Sequence, residues 1–241
     1  MRDSHYDTLY TTELNHWWYK ARRRLVHELI VRYSEKDRPI ILDVGCGTGA
    51  LLKELSSYGD VHGVDPSPKA VSYCLSRGIN EVKEGSVESI PHQNDKFDIV
   101  LALDILEHVE DDQAGVNEIY RVLKKGGIGI IFVPTFSFLW GVTDEISHHH
   151  RRYRLSSLMK LFDHSHFNIL RHSYFNFFLF LPILIIRSLV KFLHIPLESE
   201  NKLGVSLFNP VLYTIFYLEI LLLKFVSFPF GVSGMLVAKK I

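Results

Sequence analysis

Three glycines, Gly45, Gly47 and Gly49, stand at alternate positions directly after the apolar run Ile40–Val44 and directly before the helical pattern of Leu51, Leu52 and Leu55. Glycines spaced in this way let the backbone turn sharply and approach a ligand at distances a Cβ would forbid. A helix starting near Ala50 would present unpaired N–H groups, which suit a carboxylate or a phosphate. Asp65 follows Gly45 by 20 residues, at the end of a second strand-like run, where an acidic side chain can accept both hydroxyls of a ribose. The pattern Gly45, Gly47, Ala50 also satisfies a dinucleotide fingerprint, so a nicotinamide-dependent oxidoreductase is one reading of the loop. Asp43 lies within the strand two residues before the first glycine, where a carboxylate can orient the loop and meet a cationic ligand end.

A second concentration of reactive side chains runs from Trp140 to Tyr153 and includes Asp144, Glu145, His148, His149, His150, Arg151 and Arg152. Histidine with a carboxylate nearby is the usual equipment for moving a proton. The plainer alternative is that these residues cap a helix and pair charges at the surface. Three histidines and two acids also raise the question of a metal. Consecutive residues seldom converge on one ion, and neither HExxH nor a carboxylate triad occurs, so no metal is expected. His108, in Leu-Glu-His-Val, follows another strand end and is either a cavity residue or a buried histidine that shapes its loop.

The remaining composition narrows the setting. The 241 residues carry 27 Lys and Arg against 27 Asp and Glu, leaving no electrostatic case for nucleic acid. Hydrophobic residues at 47% and charged residues at 22% exclude wholesale disorder. Cys46 and Cys74 alone make neither a disulfide framework nor a cysteine-rich zinc site, and the first 20 residues contain no apolar signal core. A cytoplasmic location is expected, with the inner membrane face as a peripheral site of attachment.

Strand-like runs alternate with helical patterns along the chain. Strands are expected at Ile40–Val44, Val61–Asp65, Val82–Glu84, Phe97–Asp104, Gly129–Pro134, Asn168–Ser173 and near the C-terminus at 235–240. Helices are expected at Pro68–Arg77, Asp112–Leu123 and Leu155–Phe162. This alternation implies an α/β fold with a parallel sheet covered on both faces. Residues 1–38 read as an N-terminal helical cap, 39–176 with 231–241 as the α/β domain, and 177–230 as an apolar helical insertion.

The ordered strings ILDVGCGTGALLKEL, VHGVDPSPKAV, EGSVESIP, FDIVLALDILEHVED and LKKGGIGIIFVP resemble the successive motifs of the class I S-adenosylmethionine-dependent methyltransferases over about residues 40–135. The resemblance implies a Rossmann-like seven-stranded sheet of order 3-2-1-4-5-7-6, with the last strand antiparallel. It implies S-adenosyl-L-methionine as cofactor and S-adenosyl-L-homocysteine as product. Carried across, Asp43, Gly45, Cys46, Gly47 and Gly49 surround the methionine part, Asp65 and Pro66 hold the ribose, Ser86 and Val87 lie by the adenine, and Leu103 and Asp104 close the pocket. Trp18, in the segment His16-Trp17-Trp18, matches a segment that folds over the cofactor. Asp144, His149, Arg151, Arg152 and Tyr153 match a subfamily pattern in which Thr143 replaces an expected histidine. The expected catalytic residues are therefore His149, Asp144 and His108. The acceptor is expected to be a small or lipid-like molecule methylated at oxygen or carbon, since relatives of the general pattern methylate quinone precursors with prenyl tails. A methyltransferase fold that has lost activity and serves as a membrane scaffold is the third reading.

The insertion is unusual. Phe177–Leu193 and Pro210–Phe228 are apolar almost all round, joined by the polar link 198–202, yet interrupted by Pro182, Arg187, Glu219 and Lys224. No run reaches the roughly 18 apolar residues of a spanning helix. Such helices must be buried against protein, against a second copy or against a bilayer surface. At a bilayer, Arg187, Lys191 and Lys224 would lie at headgroup level.

Overall fold

The structure, a computed structural model, describes residues 3–193 and 208–241. Two helices open the chain, α1 (Asp3–Thr12) and α2 (Trp17–Tyr33). Strand and helix then alternate as β1 (Ile40–Val44), α3 (Ala50–Leu55), β2 (Asp60–Asp65), α4 (Pro68–Ser76), β3 (Val82–Glu84), β4 (Phe97–Leu103), α5 (Asp112–Val122) and β5 (Leu123–Pro134). The short α6 (Val142–Ile146) and α7 (Leu155–His164) lead to β6 (Phe167–Phe175). Helices α8 (Phe180–Phe192) and α9 (Asn209–Leu223) precede the closing β7 (Ser233–Lys240).

The seven strands form one sheet of order β3-β2-β1-β4-β5-β7-β6. β7 runs antiparallel to both neighbours, with Ile131 opposite Leu236 and Ser173 opposite Met235. The remaining pairings are parallel. Both the sheet order and the antiparallel last strand agree with expectation. The cause is visible in the strands. Ile41, Ile99 and Leu101 pack to one face beneath α2, α3 and α9, while Leu42, Val100 and Ala102 pack to the other beneath α5 and α7. Apolar residues at consecutive positions are what a strand covered on both faces requires.

Strand β5 begins six residues before the expected Gly129. The added stretch is irregular: Leu123 pairs with Phe97, pairing resumes at Ile128 opposite Ile99, and Gly126 between them adopts a φ of +78°. A Cβ on Gly127 would lie 2.9 Å from the Lys124 carbonyl and 3.1 Å from that of Asp98, so the bulge is tight enough to favour glycine there.

The two insertion helices are treated differently by the fold. α9 lays Phe216, Ile220 and Leu223 into the core beneath α2, with Phe216 edge-on to Trp18 at 5.8 Å. α8 buries only Phe180 fully and leaves Leu181, Ile185, Leu189 and Phe192 exposed along one side. One side of α8 is thus left uncovered by the rest of the described chain. The polar link at 198–202 lies outside the described residues. Among the described residues no helix is long and apolar enough to cross a membrane.

Candidate active site

The carboxyl ends of β1, β2, β4 and β5 converge on a cavity of about 1110 Å³, roofed by α1, α2 and α8. Open α/β sheets hold ligands at this edge, because the strand order reverses there and the loops diverge.

The glycine loop forms one wall. Gly45, Gly47 and Gly49 all have positive φ, between +56° and +82°, conformations that cost an L-residue roughly 1–2 kcal/mol. Beneath the loop Asp43 is buried, and burial pushes its carboxyl up to about 7 despite the nearby Arg22 guanidinium. Asp65 ends β2 with its carboxylate gathered by three donors. Gly47 N–H gives a bond of 2.9 Å to Oδ2, while Ser67 N–H and Tyr6 Oη each donate to Oδ1 at 3.0 Å. Burial raises the Asp65 carboxyl above its ordinary range against these donors.

Gly45, Gly47, Asp65, Pro66, Ser86 and Val87 line the cavity, as do Leu103, Asp104 and Trp18. Asp43, Cys46 and Gly49 do not. Cys46 turns inward, its Sγ 3.8 Å from the Sγ of Cys74, and Gly49 is pressed against the backbone of Cys74. These three support the loop from below. Trp17 and Trp18 both border the cavity, Trp18 with its ring stacked on Phe175 at 6.2 Å and Trp17 edge-on to Phe216 at 6.4 Å. The cover directly above the glycine loop is instead α1, which brings Tyr6 to Asp65 and Leu9 to Gly47. Glu13 anchors that cover: buried between helices, it accepts from Thr48 Oγ1 and from Arg77 at 2.7 Å. Tyr6 and Glu13 are polar residues within an apparently unremarkable amphipathic segment, and no local spacing marks them.

At the other end of the cavity stands a cluster of charge. His149 Nδ1 lies 2.8 Å from Asp144 Oδ1. Asp144 is fully buried and also receives a two-pronged contact from Arg152, Nε to Oδ1 at 2.8 Å and Nη2 to Oδ2 at 2.9 Å, plus the Gly141 N–H at 2.7 Å. The His149 and Arg152 contacts overcome burial and hold the Asp144 carboxyl far below its usual range. Arg187 turns inward rather than toward a headgroup layer, because Asp144 lies 3.9 Å away and the Leu139 carbonyl accepts its proton. Lys224 likewise pairs with Glu28 at 2.7 Å.

His108 joins the cluster, its ring 4.5 Å from that of His149 and nearly perpendicular to it. Burial among other histidines pushes its imidazole down to about 4. Beside it Glu107 is wholly buried, with no hydrogen-bond partner for either carboxylate oxygen, and burial drives its carboxyl well up. The pairing of distant segments has a simple origin. The His150 N–H donates to the Glu107 carbonyl at 2.7 Å, stapling the residues after α6 to the turn after β4. Of the three consecutive histidines only His149 turns toward Glu107, within 3.9 Å. Glu107 as a member of the site was not foreseen; the signal was its place beside His108 at a strand end.

The comparisons with known proteins agree with this geometry. Residues 42–131 match the family described as "Methyltransferase domain". A ubiquinone biosynthesis O-methyltransferase of Azorhizobium caulinodans is 33% identical over 125 residues, which are 46% of this chain and 49% of that protein. A chloroplastic 2-methyl-6-phytyl-1,4-hydroquinone methyltransferase of Oryza sativa is 34% identical over 107 residues, 42% of this chain and 32% of that protein. The chain therefore spans half or less of the length of these curated relatives. Among solved structures, a SAM-dependent methyltransferase of Thermotoga maritima superposes with a TM-score of 0.62 at 17% identity, covering 99% of this chain and 96% of that one. Sheet order, glycine loop and the acidic end of β2 accompany the match of residues 42–131 to the methyltransferase domain family, and they are the features that the resemblance to the class I S-adenosylmethionine-dependent methyltransferases implies.

Proposed function

We propose that the chain transfers a methyl group from S-adenosylmethionine to an acceptor with an apolar body, at oxygen or carbon. The observation that carries this is one continuous cavity that joins a glycine loop and Asp65 at one end to the His108–His149 cluster and the wall of α8 at the other. The cofactor supplies a methyl group on a cationic sulfonium, which moves to the acceptor atom while sulfur keeps the bonding pair. The chain's residues fit it. Gly45 and Gly47 border the cavity with bare backbone, Asp43 holds the loop from beneath, and Asp65 offers a carboxylate to ribose hydroxyls. Ser86 and Val87 would flank the adenine, with Leu103, Asp104 and Trp18 closing over the methionine side.

Methyl transfer of this kind depends chiefly on alignment and exclusion of water. The roof of α1 and α2 provides the exclusion, and Asp104 is locked to Arg22 at 2.9 Å. His149, fixed by Asp144, and His108 stand where an acceptor hydroxyl would be activated. Leu179, Pro182, Ile183, Ile186 and Val190 of α8 give that end an apolar wall. A quinol or similar head with a hydrocarbon tail suits this division, and the relatives' names point to the same chemistry.

The outer side of α8 favours a membrane surface as the source of the acceptor. Leu181, Leu189 and Phe192 are at least half exposed, with Phe225 beyond α9 at 84%. An apolar face of that size attracts the headgroup–acyl boundary of a bilayer. A second copy of the chain packed on the same face is the competing arrangement. Calorimetry separates the cofactor readings: S-adenosylhomocysteine should bind one per chain and NAD should not. Binding of NAD in its place would refute the assignment.

A further inference from the structure

We infer that Glu107, His108 and His149 form a binding site for one divalent transition-metal ion of the zinc–cobalt–manganese class. Each residue offers one ligand atom to a common point, and these three atoms lie within 4.8 Å of one another. The two imidazole rings stand nearly perpendicular, with 4.5 Å between their centroids.

Two independent features of the site support a cation. The first is Glu107. Its side chain has no exposure, and neither oxygen has a hydrogen-bond partner. Buried polar groups without partners are rare, and a buried carboxylate needs a cation or several donors to offset its lost hydration. The second is the way His149 is held. Its Nδ1 is occupied by Asp144, so its Nε2 is the atom presented to Glu107, 3.9 Å from Oε1. A histidine that ligates a metal ordinarily has its other nitrogen fixed by a carboxylate in this way. Asp144 is itself fixed by Arg152 and by the Gly141 N–H. Ligand atoms about 2.1 Å from a tetrahedral ion stand about 3.4 Å apart; the His149–Glu107 pair stands at 3.9 Å and the whole set within 4.8 Å, so closing on an ion takes shifts of roughly 0.5 to 1.4 Å.

Two imidazole nitrogens and one carboxylate oxygen suit zinc, cobalt, manganese or ferrous iron, and suit calcium or magnesium poorly. All three residues line the cavity, so three protein ligands leave open positions facing the acceptor. On the methyltransferase reading, which this role rests on, the open position takes the acceptor's hydroxyl oxygen. Coordination lowers that hydroxyl's pKa, its proton passes to solvent, and the same oxygen accepts the methyl group. His149 then acts as a ligand and Asp144 as the positioning residue behind it.

The test uses the full chain, stripped of metal with a chelator and titrated with cobalt(II). Visible absorption reports coordination, and S-adenosylhomocysteine binding is measured on every sample as an independent check of the fold. The expected result is one cobalt per chain, with affinity reduced more than about 100-fold in Glu107→Gln and His149→Ala, and about 10–100-fold in Asp144→Asn. His148→Ala and His150→Ala should bind as the wild type does. Loss of cobalt in those two with retention in Glu107→Gln would place the ion on the histidine run and overturn the inference. Absence of cobalt binding in a chain that binds S-adenosylhomocysteine would also overturn it, leaving the methyltransferase reading intact. Cobalt binding at the three residues in a chain that ignores S-adenosylhomocysteine would support the site and overturn that reading.

Discussion

Tyr6 and Asp65, 59 positions apart in the chain, share a hydrogen bond of 3.0 Å from the phenol to the carboxylate. Helix α1 is thereby fastened across the acidic end of β2, where a ribose would be held. The tyrosine hydroxyl is itself held far above its ordinary range, by burial first and by the Asp65 charge second, so it remains a donor. Asp65→Ala should weaken S-adenosylhomocysteine binding by roughly 1.5–3 kcal/mol, the scale of hydrogen bonds to a charged group. Tyr6→Phe should alter it by no more than about 1 kcal/mol, because a ribose hydroxyl can replace the phenol on Asp65. Calorimetry on both variants checks the pair.

Gly45 is expected to reject any side chain. Its φ is +75°, and an added Cβ would overlap the side chain of Ile105. Gly45→Ala should therefore lower the melting temperature and, in the fraction still folded, reduce cofactor affinity at least tenfold. Equal affinity in the variant would mean the loop does not approach the ligand.

Asp144 and His149 should behave differently on truncation, although they touch. Asp144→Ala leaves Arg152 buried without its partner, and breaking a buried pair costs about 3–5 kcal/mol. His149→Ala removes a cavity-facing ring and should cost under about 1.5 kcal/mol while abolishing turnover. Urea unfolding beside an activity assay distinguishes structure from chemistry. If both variants lose stability equally and His149→Ala keeps activity, the cluster is only a charge pair that holds α6 in place.

Glu219 gives the insertion a pH dependence. It is buried in α9 and accepts the N–H groups of Phe177 at 2.8 Å and Phe178 at 3.2 Å, yet its other oxygen has no partner. Burial pushes its carboxyl from 4.5 up to about 7. Between these values the folded state holds a proton the unfolded chain has lost, so stability falls as pH rises through that window and levels off above it. The effect is on the order of 3 kcal/mol for such a shift. Glu219→Gln should flatten the pH dependence of the melting temperature between pH 4.5 and 7. An unchanged slope would show that Glu219 is ionised in the folded chain.

The exposed stripe of α8 can be altered without touching the core. Leu181→Ser, Leu189→Ser and Phe192→Ser combined should lower the melting temperature by no more than about 3–6 °C, since surface substitutions rarely exceed about 0.5 kcal/mol each. The same variant should lose flotation with anionic vesicles. A wild-type chain that sediments alone as a dimer, and a variant that is a monomer, would assign this face to a second copy instead.

The α/β domain was legible because its evidence is local and periodic. Buried strands carry apolar residues at consecutive positions, glycines mark the loop, and Asp65 sits one strand later. The pairing of Asp144 with His149 was also legible, from the resemblance of Asp144, His149, Arg151, Arg152 and Tyr153 to a subfamily pattern. Glu107 was not, since its meeting with His149 depends on the His150–Glu107 backbone bond between segments some 40 residues apart. Nor was the cover over the glycine loop, because Trp17 and Trp18 attract notice while Tyr6 and Leu9 look like any amphipathic helix. Arg187 was misplaced for a related reason. A lone arginine on an apolar helix suggests a headgroup contact, and only the fold shows the buried Asp144 that draws it inward.

The most direct measurement is transfer of label from methyl-tritiated S-adenosylmethionine to a total lipid extract, with the aqueous and organic phases counted separately. Label in the organic phase, dependent on Asp65 and His149, is the predicted result. Bound S-adenosylmethionine with no label transferred to either phase would contradict it and leave a methyltransferase fold without methyl transfer.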